Sequence, residues 1–344
     1  MPADPADLDA IGRACAEQAR RATDGTDDIA AYCAAQVGDA DHREVIGPQL
    51  PGAGPSGVVV LDGSRVAEWG DPTRPEMAFS ATKSIASLVA GLAFDDGLLG
   101  LDTRVREAVD LPQFTAAPSD RITWRHLLEQ TSGWDGWLWG KPASVDAQSR
   151  RRGSAAAGTP PGEGWAYNDV RVNLLCLALT ALLRRPLPEV LAERVMAPIG
   201  ASHNWTWHGY RNSTLPLDGR GLPVVSGGAH WGGGLWISAS DLALVGELYR
   251  RRGRWDGRQV ISSTWIDLSW TPSTANPEYG LLWWLNDHRT VFPTAPATGR
   301  AARGNLGRHL LWVDPARDLV IVSRWGEQVE TLLRAVSECV PVPR

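Results

Sequence analysis

Lysine is nearly missing from this chain: of 34 basic residues, only Lys83 and Lys141 are lysines and the rest are arginine. Any lysine chemistry therefore falls on one of two residues. Cysteine is scarce as well. Cys15, Cys33, Cys176 and Cys339 lie far apart with no Cys-x-x-Cys pair, which argues against a zinc site and a disulfide framework and leaves four small buried hydrophobes. No uncharged apolar run reaches the roughly 18 residues that a bilayer crossing needs. The first thirty positions lack the basic start and apolar stretch of an export signal, so the expectation is a cytoplasmic chain without membrane association. An excess of positive charge is missing too. A net charge of −5, with short and scattered Lys/Arg runs, offers no field for a phosphate backbone and excludes nucleic acid as the expected partner.

What is present describes a globular protein. With 344 residues, 43% of them hydrophobic and 21% charged, the chain buries a substantial core across two subdomains, and disorder is excluded. Leu8, Ile11, Cys15 and Ala19 share one face of a first helix within Asp7 to Ala22. Val58 to Leu61, the turn Asp62-Gly63-Ser64 and Arg65 to Trp69 predict a hairpin. From Ser80 to Phe94 the apolar residues keep helical period, with Gly97 as the stop. Further helices are predicted at Trp124 to Gln130, capped by Thr123, and at Val170 to Leu183, Leu187 to Met196 and Ala239 to Arg250. Strands return at Tyr279 to Leu285, His309 to Val313 and Leu319 to Trp325, before a last helix from Glu327 to Glu338. Strands at both ends around a helical middle predict one sheet built from both termini with a helical domain inserted between them. The expected division is 1–85 with 275–344 for the sheet domain and 86–274 for the insert.

The chemistry centres on Ser80-Ala81-Thr82-Lys83. A serine and a lysine at i and i+3 of a helix share a face, and a desolvated lysine in the first helical turn is expected to have a lowered pKa and to take the serine proton as a neutral amine. The Ser80 N–H then supplies half of an oxyanion hole. A second constellation, Gly162-Glu-Gly-Trp165-Ala-Tyr167-Asn168-Asp169, leads into the helix at Val170. There Tyr167 serves either as a general acid and base in turn or as a packed tyrosine beside an Asp169 N-cap.

Several local patterns, in order, resemble the serine hydrolases related to class C β-lactamases and D-Ala-D-Ala peptidases, with their esterase and transacylase branch. Phe79-Ser-Ala-Thr-Lys83-Ser is similar to the nucleophile motif, and Ile122-Thr-Trp-Arg-His-Leu-Leu-Glu-Gln-Thr-Ser-Gly133 to the marker helix and turn, in which His126 is architectural. Pro161 to Asp169 resembles the loop that carries the family tyrosine, with Asp169 where relatives often have an amide. Gly232-Gly-Gly-Leu-Trp-Ile-Ser-Ala-Ser-Asp-Leu-Ala243 is similar to the segment that returns the chain through the helical domain.

The resemblance, spanning roughly Val58 to Trp325, implies an α+β fold, an α/β-type sandwich of the β-lactamase/transpeptidase kind. It has an antiparallel sheet, flanking terminal helices and an inserted, mostly helical domain. It implies Ser80, Lys83 and Tyr167 as catalytic residues and no metal or cofactor. Ala302-Arg303-Gly304-Asn305 stands before the strand at His309, about where relatives carry Lys-Thr-Gly or His-x-Gly, and places the second oxyanion donor at Gly304 or Asn305. The missing lysine argues against a penicillinase or D-Ala-D-Ala peptidase.

Substrate-binding candidates are Asp169, Trp134, Trp165, His230, Trp231 and Arg303. For the tryptophans core packing is the rival reading, for His230 a turn, and for Arg303 an exposed strand start. Trp137, Trp139, Trp236, Trp283 and Trp284 are further candidates for an apolar cleft. The expected function is an acyl-enzyme hydrolase of a small-molecule ester or amide. The alternatives are an acyltransferase of small-molecule or antibiotic biosynthesis, using an amine or alcohol acceptor, and a non-catalytic binding or sensing protein. Oligomeric state is open.

Overall fold

The computed structural model describes residues 7–35, 40–146 and 159–342. The chain starts with the helix Leu8–Gln18, whose N-cap Asp7 accepts from the Ala10 N–H at 2.9 Å. The expected hairpin follows as β1 (Ser56–Leu61) and β2 (Ser64–Trp69). Its two-residue turn puts Asp62 and Gly63 at positive φ, 47° and 75°. The other strands of the main sheet come from the far end of the chain: β3 (Trp284–Leu285), β4 (Arg300–Gly304), β5 (His309–Asp314) and β6 (Leu319–Arg324). All six join in the antiparallel order β3-β4-β5-β6-β1-β2. The two ends of the chain meet where Val58 lies opposite Val322 and Val60 opposite Val320.

β5 and β6 are buried at every position, which is why they read as continuous apolar runs without alternation. The helix Ala239–Arg250 packs across β1, β5 and β6. Gly246 permits that approach, since a Cβ there would meet Val320 at 2.6 Å and Leu311 at 2.7 Å. The terminal helices, Leu8–Gln18 and Val329–Glu338, pack on each other. The middle of the chain supplies Thr82–Asp95, Trp124–Leu128, Asp169–Leu183 and Leu187–Leu191, the last followed by a π turn at Ala192–Met196. The cysteines are held as neutral thiols: burial pushes Cys15 and Cys176 up to about 12 and Cys33 up to about 11.

One expectation is corrected and two further elements appear. The run Tyr279 to Leu285 is not one strand, because Gly280 donates to Trp283 O at 2.9 Å and Leu282 sits at φ 61°; the apolar residues form a buried turn that brings Tyr279 opposite Trp284, and Trp284–Leu285 joins the main sheet. Ala302 to Gly304 does precede the strand at His309, and it is itself part of a strand not anticipated from sequence, β4, paired along β5 with Gly304 opposite His309. A small sheet not anticipated from sequence joins Glu76–Met77, Gly234–Ile237 and Thr206–His208, because the segment from Gly232 returns beside the nucleophile motif.

A polar group of Glu76, His309 and Arg324 is buried next to that motif. Arg324 Nη2 donates to Glu76 O at 2.6 Å, and Trp325 Nε1 donates to the Glu76 carboxylate at 2.8 Å. The His309 ring lies 4.8 Å from the Phe79 ring and 4.3 Å from that of Trp325, with no hydrogen-bond partner among the described residues. Burial first, then the Arg324 and Arg308 charges, hold its pKa well below 6.5. The unfolded chain therefore binds a proton near pH 6.5 that the folded chain refuses. We expect unfolding free energy to fall as pH drops below that value, by up to about 1.4 kcal/mol per pH unit from this group. Urea denaturation between pH 7.5 and 5.5 measures it, and His309→Phe should flatten the slope by that amount. An unchanged slope would assign the effect elsewhere.

Candidate active site

The nucleophile segment is held from both sides. Ala78 N donates to Leu235 O at 2.7 Å, Phe79 takes the left-handed conformation at φ 49°, and a 3₁₀ turn over Phe79–Ala81 delivers Ser80 to the start of the helix Thr82–Asp95. A positive φ on a bulky residue is costly and persists where the surroundings impose it. Here Tyr32 and Trp325 present ring edges to Phe79, at 6.5 and 5.5 Å.

Lys83, one helical turn on, is 1% exposed, and its Nζ donates to Ser80 Oγ at 2.9 Å. The same ammonium forms a short hydrogen bond and ion pair with the buried carboxylate of Asp169 and lies 4.7 Å from the centre of the Tyr167 ring. The structure thus brings Ser80, Lys83, Tyr167 and Asp169 together. Burial lowers the lysine pKa and is the largest single influence. The charges of Asp169, Tyr167 and Asp146 and the Asp169 hydrogen bond together overrule it, so the net direction is upward. The expected lowering of the Lys83 pKa is therefore not the direction found: Asp169 favours the charged amine.

Asp169 is not a substrate contact on the cleft surface; it is the buried counter-ion, and its second oxygen accepts from His230 N at 3.3 Å. Nor is it the N-cap. That role belongs to Asn168, whose side chain accepts from Arg171 N at 3.0 Å, while Asn168 N donates to Gln130 Oε1 at 2.8 Å. His126 is a cap: Thr123 Oγ accepts from His126 N at 3.3 Å and His126 Nδ1 accepts from Thr123 N at 3.2 Å.

Gly304, at the end of β4, lies against the Ser80 turn, where a Cβ would meet Ala78 O at 2.4 Å and Ala81 N at 3.1 Å. Asn305 follows at φ 46° and its amide donates to the Tyr32 hydroxyl. Arg303 and Trp165 line a cavity of about 700 Å³ together with Trp284, Glu163 and Glu278. Its aromatic wall abuts Tyr167, with the Trp284 ring 5.4 Å and the Trp165 ring 6.1 Å from the phenol ring.

The other proposed wall residues are elsewhere. Trp134 is buried and its carbonyl accepts from Arg171 Nε at 2.8 Å. Trp231 is fully buried, its Nε1 donating to His42 O at 2.8 Å, and His230 stacks on it at 4.6 Å with Nδ1 3.3 Å from the Asp146 carboxylate, so neither lines a rim. Trp283 packs against Tyr249 in the core. Sequence reasoning missed Asp146, which accepts from Asp169 N at 2.5 Å, and Glu278; neither stands in a motif, and only the fold carries them to the site. Among the described residues no group of three or more His, Cys, Asp or Glu could hold a metal ion, and no helix is long and apolar enough to cross a membrane.

A strained serine turn, a lysine one turn on and a facing tyrosine, set between an antiparallel sheet and a helical layer, define the class: serine hydrolases of the β-lactamase and penicillin-binding-protein type. The profile of the Beta-lactamase family matches residues 47–323, and the chain belongs to that family. A curated relative, "Putative D-alanyl-D-alanine carboxypeptidase" of Escherichia coli O157:H7, is 23% identical over 197 residues, 47% of this chain and 45% of that protein; the chain thus spans less than half of the relative's length. Among solved structures, a penicillin-binding-protein homologue from Caulobacter crescentus superposes with a TM-score of 0.62 at 17% identity, covering 93% of this chain and 99% of its own. SurE superposes at 0.63 and 17% identity, covering 98% of this chain and 77% of its own.

Removing Asp169 leaves a buried ammonium without its counter-charge. We expect Asp169→Ala to lose about 3–5 kcal/mol of stability at neutral pH, read by urea denaturation, with Lys83→Met in the same background restoring much of it. Because the lysine pKa is raised on folding, this contribution is complete throughout the neutral range and disappears only in strong alkali. Additive losses would mean that the two side chains are not coupled.

Proposed function

We propose that the chain is an acyl-enzyme hydrolase acting on an ester or amide of a small molecule, with Ser80 as nucleophile and Tyr167 as the proton carrier. The observation that carries this reading is Lys83 Nζ at 2.9 Å from Ser80 Oγ, paired with Asp169 and set against the Tyr167 ring. A lysine that donates its hydrogen bond to Ser80 is not free to take a proton, so in this reading the serine proton goes to Tyr167. As the proton leaves, the Ser80 Oγ–carbon bond forms and the carbonyl electrons move to oxygen, stabilised by the Ser80 N–H and a donor at Gly304 or Asn305. Collapse breaks the bond to the leaving group, which receives the proton from Tyr167. Water then gives a proton to Tyr167 and attacks, and rupture of the carbon–Oγ bond returns that proton to Ser80.

The name of the curated relative, and the structure of SurE solved with D-Leu, favour a substrate derived from an amino acid. The acyltransferase reading is favoured by one feature, the aromatic wall of Trp165 and Trp284 next to Tyr167, where an amine or alcohol acceptor would replace water. Ser80→Ala should abolish covalent labelling by a fluorophosphonate and multiple turnover of activated esters. Tyr167→Phe should lower kcat/KM by about 10²–10⁴. Labelling that persists at the same site in Ser80→Ala would overturn the assignment. Turnover of p-nitrophenyl acetate with added amines separates the two fates, hydrolysis predicting product partition that is insensitive to amine.

A further inference from the structure

The helix Ile29–Ala34 lies outside residues 47–323, the part of the chain that the family profile matches, yet it packs against the nucleophile turn. Ile29 and Cys33, one helical turn apart, are buried in a small apolar cluster with Met77, Phe79, Ala229 and Trp325, and Tyr32 packs on that cluster from the same helix. Asp28 caps the helix, accepting from Ala31 N at 3.0 Å, and Gln49 Nε2 donates to Ile29 O at 3.4 Å. Tyr32 makes two kinds of contact from this position. Its ring stands edge-to-face with those of Phe79 and Trp325, at 6.5 and 5.7 Å, and its hydroxyl accepts from the Asn305 side-chain amide. Burial, offset in part by the Asn305 hydrogen bond and the Arg308 charge, keeps the phenol above its ordinary pKa, so it is neutral across the physiological range. The two residues it touches flank the two sides of the oxyanion hole. Phe79 immediately precedes Ser80, and Asn305 immediately follows Gly304 at the end of β4. Both are left-handed, at φ 49° and 46°, and Leu306 continues at φ 60°. Residues with a Cβ hold that conformation only where their surroundings impose it.

We propose that Tyr32 is a positioning residue of the oxyanion hole: its hydroxyl fixes Asn305 and its ring fixes Phe79, so that the Ser80 N–H and the donor at the end of β4 keep their separation. The inference rests on the acyl-enzyme reading of Ser80. When the Ser80 Oγ–carbon bond forms and the carbonyl electrons move to oxygen, donors already in place stabilise the new charge without reorganising. Tyr32 acts through its two neighbours, one on each side of the hole. Loss of the hydroxyl frees the left-handed turn at Asn305 and Leu306 while the ring still holds Phe79. Loss of the ring frees both. A side chain that only stabilised the fold would lower the unfolding free energy without singling out the bond-forming step.

The rate of fluorophosphonate labelling of the full chain, resolved into a maximal rate and a half-saturating concentration, tests it. Tyr32→Phe should lower the maximal rate about tenfold and move the half-saturating concentration by less than about twofold, because the hole acts on the transition state and not on the encounter. Tyr32→Leu should be slower again. Asn305→Ala should slow labelling about as much as Tyr32→Phe, and combining the two should add less than about twofold, since both break one link. Asn305→Ala reaches that link from the strand, so a folding defect in either variant, read by urea denaturation, leaves the other as an intact test. A maximal rate unchanged in Tyr32→Phe, a loss confined to the half-saturating concentration, or losses that multiply in the double variant would each overturn the inference. These outcomes differ from failure of the hydrolase reading. A wild type that takes no label, or a Ser80→Ala that keeps it, strikes that reading and the inference with it, whereas labelling that is lost in Ser80→Ala and unchanged in Tyr32→Phe strikes the inference alone.

Discussion

A buried ion pair, Lys83 with Asp169, is the interaction on which the rest of the site depends. Two charges removed from water are tolerated only when each is matched at close range, and the match ties together two helices distant in sequence, since Lys83 lies in the first turn of Thr82–Asp95 and Asp169 opens Asp169–Leu183. The dipole of the second helix favours a carboxylate at its start, and that of the first disfavours an ammonium, so the pair offsets a local conflict at Lys83. The serine hydroxyl and the tyrosine ring are then arranged around a fixed positive charge.

That charge changes how protons can move. A serine–lysine pair in isolation suggests an amine base; here a carboxylate stands where relatives often carry an amide, and the lysine becomes a donor to Ser80. The Tyr167 ring lies beside the Lys83 amine and packs against the indole of Trp284.

The sheet supplies the opposing wall. β4 ends at Gly304 against the Ser80 turn, and no residue with a side chain fits there without displacing the backbone at Ala78. On the other side, Phe79 is locked in a left-handed conformation by the rings of Tyr32 and Trp325. Ser80 is thus placed by strands from the end of the chain and a small sheet from its middle, and not by its own helix alone. The cavity opens beside this junction because β3 and the loop before Asp169 bring Trp284 and Trp165 to one corner.

Much of this was legible in the order of residues, for reasons that can be stated one at a time. Ser80 and Lys83 were recognisable because i and i+3 share a helix face, Tyr167 because it belongs to a short loop pattern, and the hairpin because Asp62-Gly63 is chemically suited to a two-residue turn. β5 and β6 were visible as apolar runs. The limits were equally physical. A turn and a strand can have the same apolar composition, as the stretch ending at Leu285 does, and the positions of seventeen tryptophans along a chain cannot by themselves say which rings face a cavity. Trp231 went to the core with Lys141 over its ring, and Trp284 to the cavity wall. Local sequence therefore determined the elements, the nucleophile motif and the family. The charge on Lys83, the burial of His230 and the composition of the cavity were decided only by tertiary structure, because desolvation and Coulomb interaction depend on distances between residues such as Asp146, Asp169 and Glu278 that no local spacing encodes.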